Sequence, residues 1–114
     1  MNDERFQSLI KAYEHEAKHG FEIIEKVMTA FMLPDSDANL MNQLQLCEDA
    51  LKNNENLFRI VEELLSFYKD GSQEFTDYSN ALEAYAFTKD FILESKANIS
   101  KHFLLVNQTS HTVN

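Results

Sequence analysis

The residues of this chain that are best suited to chemistry form the stretch His15 to His19, HEAKH. It matches the pattern H-E-x-x-H, in which two histidines on one helix face bind zinc and the glutamate is the general base. The apolar positions Ile10, Tyr13 and Ala17 mark the buried side of the helix, and both histidines fall away from it. No later residue is marked as a third ligand. The sequence therefore predicts no zinc enzyme, and the two histidines remain candidates for a surface metal site.

A ferritin-like metal site is the second chemistry that these residues suggest. Such a site needs inward-facing glutamates and two Glu-x-x-His units in a four-helix bundle. Glu16 and His19 form one unit, whereas His102 and His111 have no glutamate at that spacing. The alternative that we keep is a metal-binding helical protein using His15, Glu16 and His19.

Other catalytic patterns are missing from the sequence. It has no glycine-rich phosphate loop and no nucleophile elbow. The adjacent acids Glu62 and Glu63 fall on the polar side of their helix, so they do not form a buried acid pair. We therefore expect a protein without enzymatic activity and without a cofactor.

The composition is that of one folded helical domain. The chain has 114 residues, 44% of them hydrophobic, which suffices for one core but not for a second module. Gly occurs twice and Pro once, too few for the turns of an all-β chain, so the sequence predicts an all-α fold. Cys47 is the only cysteine and excludes an internal disulfide. The acidic N-terminal residues and the lack of a long apolar run predict a cytoplasmic location and no membrane span.

The charge balance restricts the possible partners. Nineteen acidic and ten basic residues give a net charge of −9, and no Lys/Arg cluster is present to contact phosphates. Direct nucleic-acid binding is therefore not expected. An acidic surface suits a basic partner. A further alternative is a mimic of nucleic acid that inhibits a nucleic-acid-binding protein.

The first helix is predicted over residues 3 to 33 and is stopped by Pro34. Gly20 stands in mid-helix, where glycine costs about 1 kcal/mol relative to alanine. We interpret Gly20 as a point of close helix contact, with a hinge as the alternative. From Phe21 onward the helix is apolar nearly all round. Its predicted seam, at spacings of three and four, consists of Phe6, Ile10, Tyr13, Ala17, Gly20, Ile24, Val27 and Phe31.

The second helix is predicted over residues 37 to 69 and holds the most apolar stretch of the chain, Leu57 to Tyr68. Two adjoining seams run along it, as a helix between two others requires. Asn53 and Asn54 interrupt both seams. Either the helix breaks there, giving four helices, or it continues and the asparagines specify register. The phase of both seams is preserved across the interruption, which favours continuity.

The third helix is predicted to begin after Gly71, which caps the second helix, and Ser72, which is its N-cap. It should run to about Val106, so that residues 1 to 106 form the domain and residues 107 to 114 a polar, flexible tail. Its predicted seam consists of Phe75, Tyr78, Leu82, Tyr85, Ile92, Ile99, Phe103 and Val106.

An up-down-up bundle of these helices leaves more apolar residues than it can bury. This surplus of apolar residues lies in two places. One is an end of the bundle, here called the pole, where the first two helices meet and the third ends. The other is an edge of the third helix with Phe87 and Phe91. Contiguous exposed apolar patches mark interaction surfaces. We therefore expect a non-catalytic protein-binding module, of the inhibitor, immunity-protein or adaptor type found in bacteria and phages, that forms a homodimer. The predicted partner-binding residues are Met28, Phe31, Met32, Met41, Phe67, Phe87, Phe91 and Leu104.

Overall fold

The computed structural model describes the backbone of residues 2 to 112 and the side chains of residues 3 to 105. Three helices account for nearly all of this part: α1 (Asn2–Met32), α2 (Asp37–Leu65) and α3 (Gln73–Thr112). They form an antiparallel bundle with extents of 66 × 22 × 20 Å. The prediction of an all-α, three-helix bundle is confirmed.

The middle helix holds the bundle together. α2 packs against both α1 and α3, whereas no Cα atom of α1 lies within 8 Å of a Cα atom of α3 in the described part of the chain. The side chains of Leu40, Val61 and Leu64, all on α2, are at most 2% exposed. α2 is continuous through Asn53 and Asn54, so the three-helix alternative is correct.

The short loop after α1 is ordered by side-chain hydrogen bonds. Ser36 is the N-cap of α2 and accepts a hydrogen bond from the backbone N–H of Asn39 at 3.2 Å. The buried Asn39 side chain donates back to the carbonyl oxygens of Ala30 at 3.0 Å and Pro34 at 3.1 Å. These bonds, with a longer one to the carbonyl oxygen of Leu33 at 3.5 Å, tie the start of α2 to the end of α1.

The second loop begins earlier than the sequence predicted. α2 ends at Leu65, so Phe67 and Tyr68 lie in the following turn rather than in the helix. Their rings still pack on Phe6 of α1, with centroid distances of 5.6 Å and 6.1 Å. Gly71 has a φ of 91°, a conformation that favours glycine.

The start of α3 agrees with the sequence, and its end does not. Ser72 accepts a hydrogen bond from the N–H of Phe75 at 3.1 Å and is the predicted N-cap. The backbone remains helical to Thr112, past the predicted end at Val106 and through most of the predicted tail. Residues 113 and 114 lie outside the described residues. No helix in residues 2 to 112 is long and apolar enough to cross a membrane.

The predicted seam of α1 is wrong in its C-terminal half. Ile24 and Phe31 were assigned to this seam, yet their side chains are 54% and 61% exposed. For Phe31 the exposure agrees with its other prediction, as a partner-binding residue. The residues just before them, Ile23 and Ala30, are 4% and 1% exposed and belong to the core instead. Because apolar residues cover more than half of the helix circumference here, periodicity alone could not select between two adjacent registers.

Candidate functional site

A layer of polar side chains crosses the bundle where the sequence placed the two asparagines. On its α1 side, the Nδ2 group of Asn53 donates to a carboxylate oxygen of Glu16 at 2.9 Å and to the backbone carbonyl of Glu16 at 2.8 Å. Asn56 donates to the other carboxylate oxygen of Glu16 at 3.3 Å. The Asn53 side chain is 7% exposed. A buried amide that is satisfied in this way fixes the register of α2 on α1.

The other side of the layer joins α2 to α3. Asn54, also 7% exposed, donates from Nδ2 to the backbone carbonyl of Tyr85 at 2.9 Å. The hydroxyl groups of Tyr85 and Tyr13 are 3.2 Å apart, so α3 is linked to α1 as well. Burial, together with the hydrogen bond to Tyr13, raises the pKa of Tyr85 above its ordinary value. Asn53 therefore forms hydrogen bonds with α1, and the next residue, Asn54, forms one with α3.

Gly20 is required by this layer. A Cβ atom added at Gly20 would lie 2.9 Å from Oδ1 of Asn53, closer than real Cβ contacts. The amide of Asn53 cannot rotate away without losing its bonds to Glu16. The interpretation of Gly20 as a close helix contact rather than a hinge is confirmed.

The histidines of the HEAKH stretch line an open polar cleft between α1 and α2. Both His15 and His19 are exposed, and the cleft, of about 340 Å³, is also lined by Glu16, Asp49 and Lys52. The Nδ1 atom of His19 lies 3.8 Å from a carboxylate oxygen of Glu22 on the same helix. No group of three or more His, Cys, Asp or Glu side chains within residues 3 to 105 is arranged to hold a metal ion. The carboxylate of Glu16 already accepts hydrogen bonds from Asn53 and Asn56.

The single cysteine lies beside a small cavity between the three helices. Cys47 is half-buried, and this burial raises the pKa of its thiol; Lys96 opposes the shift and Glu48 adds to it. The cavity measures about 20 Å³ and is also lined by Gln43, whose side chain is 5% exposed. The Nε2 group of Gln43 has no hydrogen-bond partner among the described residues. Because Cys47 is half-buried beside this cavity, it is a packing residue, and the raised pKa of its thiol disfavours the nucleophilic thiolate.

The surface of the bundle includes a large exposed apolar region. Six large side chains on α1 and α3 are between 54% and 75% exposed. Four follow one another on α1 at spacings of three and four, which is the pattern of a helix seam without a partner. We call this set the α1–α3 face; it consists of Phe21, Ile24, Met28, Phe31, Phe87 and Phe91.

The α1 part of this face lies on the side of α1 toward α3. Tyr13, whose hydroxyl contacts Tyr85 of α3, is eleven residues before Ile24 and therefore on nearly the same line of the helix. Phe31 lines the small cavity together with Ile99 of α3. The α1 stripe thus borders the gap between the two outer helices.

The α3 part of the face borders the same gap. Ile92 and Ile99 face the core, and Phe91 lies one residue earlier, about 100° round the helix. His102 is eleven residues after Phe91, on the same flank, and its Nε2 lies 3.3 Å from a carboxylate oxygen of Asp35 in the loop that follows α1. Phe91 is thus on the flank of α3 nearer α1, and Phe87 is one turn before it.

The pole is a second exposed apolar region. Met32 is 85% exposed, more than any other large apolar side chain of the described part, and Met41 and Leu104 are each 60% exposed. Leu33 and Leu105 are each 52% exposed. Leu40 and Phe103 lie at the same end but are packed within the bundle, because Leu40 is buried and Phe103 is half-buried.

The structure exposes seven of the eight predicted partner-binding residues and packs the eighth. Phe67 is half-buried against Phe6 and is better described as part of the bundle. Phe21 and Ile24 were not among the predicted residues, although they are 69% and 54% exposed. The signal for Phe21 was present, since the all-round apolar part of α1 begins there. Ile24 could not be found, because it was assigned to the wrong register.

The fold and its surfaces thus define an all-α bundle with a satisfied polar layer and an open apolar face. The chain matches none of the known family models, curated proteins or solved structures with which it was compared. Its function must therefore be argued from these surfaces.

Proposed function

We propose that this protein acts without catalysis, by binding another protein through the α1–α3 face. The observation that supports this most strongly is the exposure of that face, where six large apolar side chains are 54% to 75% accessible. Apolar patches of this kind are uncommon on monomeric proteins and mark interaction sites.

The size of the face is adequate for this role. A fully accessible aromatic side chain presents roughly 150–250 Å², so each of these residues offers about 100 Å². The six together offer about 600 Å² of apolar area, and a stable interface buries about 800 Å² on each partner, including its polar rim. A small cytoplasmic inhibitor, immunity protein or adaptor acts through one such surface.

The pole gives the protein a second means of assembly, as a homodimer. Met32, Met41 and Leu104 lie at one end of the bundle, and a two-fold axis there would place the same apolar residues against each other. The contact would be small, so the dimer should dissociate on dilution. Sedimentation velocity from micromolar to millimolar concentration should show a monomer–dimer equilibrium. A monomer over the whole range would contradict dimer formation without affecting the α1–α3 face.

The protein-binding proposal is tested by capture from an extract of the native host. The immobilised wild-type chain should retain a partner, and the double variant Ile24→Gln/Phe91→Gln should retain at least about tenfold less, as expected when central apolar contacts are removed. The matched control is Leu93→Gln, which alters an exposed apolar residue on the opposite flank of α3 and should retain the partner. Circular dichroism should show unchanged helicity in all variants. Equal capture by the wild type and the double variant would contradict the proposal.

A further inference from the structure

Charged residues border the α1–α3 face on both of its outer edges. Glu25 follows Phe21 by four residues on α1, and Glu94 follows Phe91 by three residues on α3. Residues at these spacings are neighbours on a helix surface, so each carboxylate lies next to an apolar member of the face. Both glutamates are exposed, and Glu25 also lines an open groove between α1 and α2. Within residues 3 to 105, the carboxylates of Glu25 and Glu94 take part in no ion pair.

The rest of the rim is also predominantly acidic. Glu14 is two turns before Phe21 on α1, and Glu83 is one turn before Phe87 on α3. Lys18 is the nearest cation on the α1 edge, and Lys101, seven residues after Glu94 on the same line of α3, lies near the other edge. The acidic rim agrees with the net charge of −9 of the whole chain. An apolar strip between two lines of carboxylates is complementary to a surface with an apolar centre and basic edges.

We propose that the α1–α3 face binds a basic amphipathic helix of another protein. This rests on the proposed protein-binding function and specifies its partner. The exposed stripe from Phe21 to Phe31 spans ten residues, or about 15 Å of helix axis, and matches about three turns of a partner helix. The partner helix places apolar side chains at spacings of three and four between α1 and α3. Its lysine or arginine residues pair with Glu25 on one edge and Glu94 on the other.

A second copy of this chain is a poorer occupant of the same face. Two copies brought together here would place Glu25 and Glu94 of each chain close to the same residues of the other. Repulsion among these carboxylates opposes this contact, whereas the same carboxylates attract a basic helix. The dimer contact proposed at the pole leaves this face free.

The inference is tested with designed peptides and the full-length chain. The first peptide has about 18 residues, or five helical turns, with leucine on one face and lysine on the other. The second has glutamate in place of lysine, and the third has the composition of the first in an order without an apolar face. Fluorescence anisotropy should show the lysine peptide binding at least about tenfold more tightly than either of the others, with an affinity that falls as salt is raised.

Variants of the protein separate the apolar and the electrostatic contributions. Ile24→Gln/Phe91→Gln should weaken binding of the lysine peptide at least about tenfold, and the control Leu93→Gln should change it less than about twofold. Glu25→Lys/Glu94→Lys should also weaken it at least about tenfold. Its control is Glu55→Lys/Glu62→Lys, which changes the net charge equally on the exposed side of α2 and should have a much smaller effect.

Each outcome distinguishes this inference from the proposed function. Equal binding of the ordered and scrambled lysine peptides, or equal losses in the two charge-reversed variants, would show non-specific attraction and overturn the inference. If the lysine peptide does not bind but capture from the host extract still depends on Ile24 and Phe91, the face binds a protein of other chemistry. In that case the basic-helix inference fails and the proposed function stands. If neither experiment depends on these two residues, both proposals fail.

Discussion

Replacing Asn53 with aspartate is expected to lower the free energy of unfolding by about 3–5 kcal/mol at neutral pH, the usual cost of leaving a buried charge uncompensated. The Nδ2 group of Asn53 lies 2.9 Å from a carboxylate oxygen of Glu16 and 2.8 Å from its backbone carbonyl, and the side chain is 7% exposed. Aspartate has the same shape but replaces the donor with an acceptor. It would therefore set two carboxylates against each other inside the bundle.

The loss should depend on pH in a defined direction. Repulsion by Glu16 and burial both raise the pKa of the introduced aspartate in the folded state above its unfolded value of about 3.9. The part of the penalty that comes from charge is therefore absent below about pH 4, grows as the pH rises from there and levels off above the folded-state pKa. The part that comes from the lost second hydrogen bond remains at every pH. Urea denaturation of the variant and the wild type from pH 3 to pH 8 measures it.

The control for this substitution is Asn42→Asp, on the exposed surface of the same helix. It makes the same chemical change without a buried partner and should alter the free energy of unfolding by less than about 0.5 kcal/mol. Equal stability of the two variants at neutral pH would show that the polar layer does not fix the register of α1 on α2.

Replacing Leu64 with alanine is expected to lower the free energy of unfolding by about 2–5 kcal/mol. The side chain of Leu64 is 0% exposed, in the middle helix that packs against both others, so its removal leaves a cavity that two neighbouring helices must fill. Met32→Ala, at a side chain that is 85% exposed, should change stability by less than about 0.5 kcal/mol. The midpoint of urea unfolding measures both at constant m-value.

This comparison separates core from surface among residues of similar hydrophobicity. If Met32→Ala were as destabilising as Leu64→Ala, the pole would be part of the folded core. Neither the pole nor, by the same reasoning, the α1–α3 face could then be regarded as a surface available to a partner.

Much of the fold could be predicted from the sequence because the signals were local. Pro34 and Ser36 determine the first turn, and Gly71 and Ser72 determine the second, through their own backbone and capping preferences. The continuity of α2 followed from an apolar phase that is the same on both sides of Asn53. The end of α2 at Leu65 was missed, because Phe67 and Tyr68 keep the helical spacing while lying in the following turn.

The site was harder to predict because it depends on contacts between helices. That Asn53 bonds to Glu16, and that Gly20 makes room for it, depends on how α1 is rotated against α2. The sequence does not specify this rotation, and after Phe21 the width of the apolar surface of α1 leaves it undetermined. Ile24 was assigned to the core for the same reason. Phe87 and Phe91 were identified because they stand outside the only apolar seam of α3.

The claim that the α1–α3 face binds a partner is tested most directly by methyl NMR of Ile23 and Ile24. These neighbours are 4% and 54% exposed, so a soluble gadolinium agent should broaden the methyl signals of Ile24 and spare those of Ile23. Addition of the partner captured from the host should protect Ile24 and Met28 from broadening and leave Ile23 unchanged. Broadening of Ile24 that is the same with and without the bound partner would contradict the account.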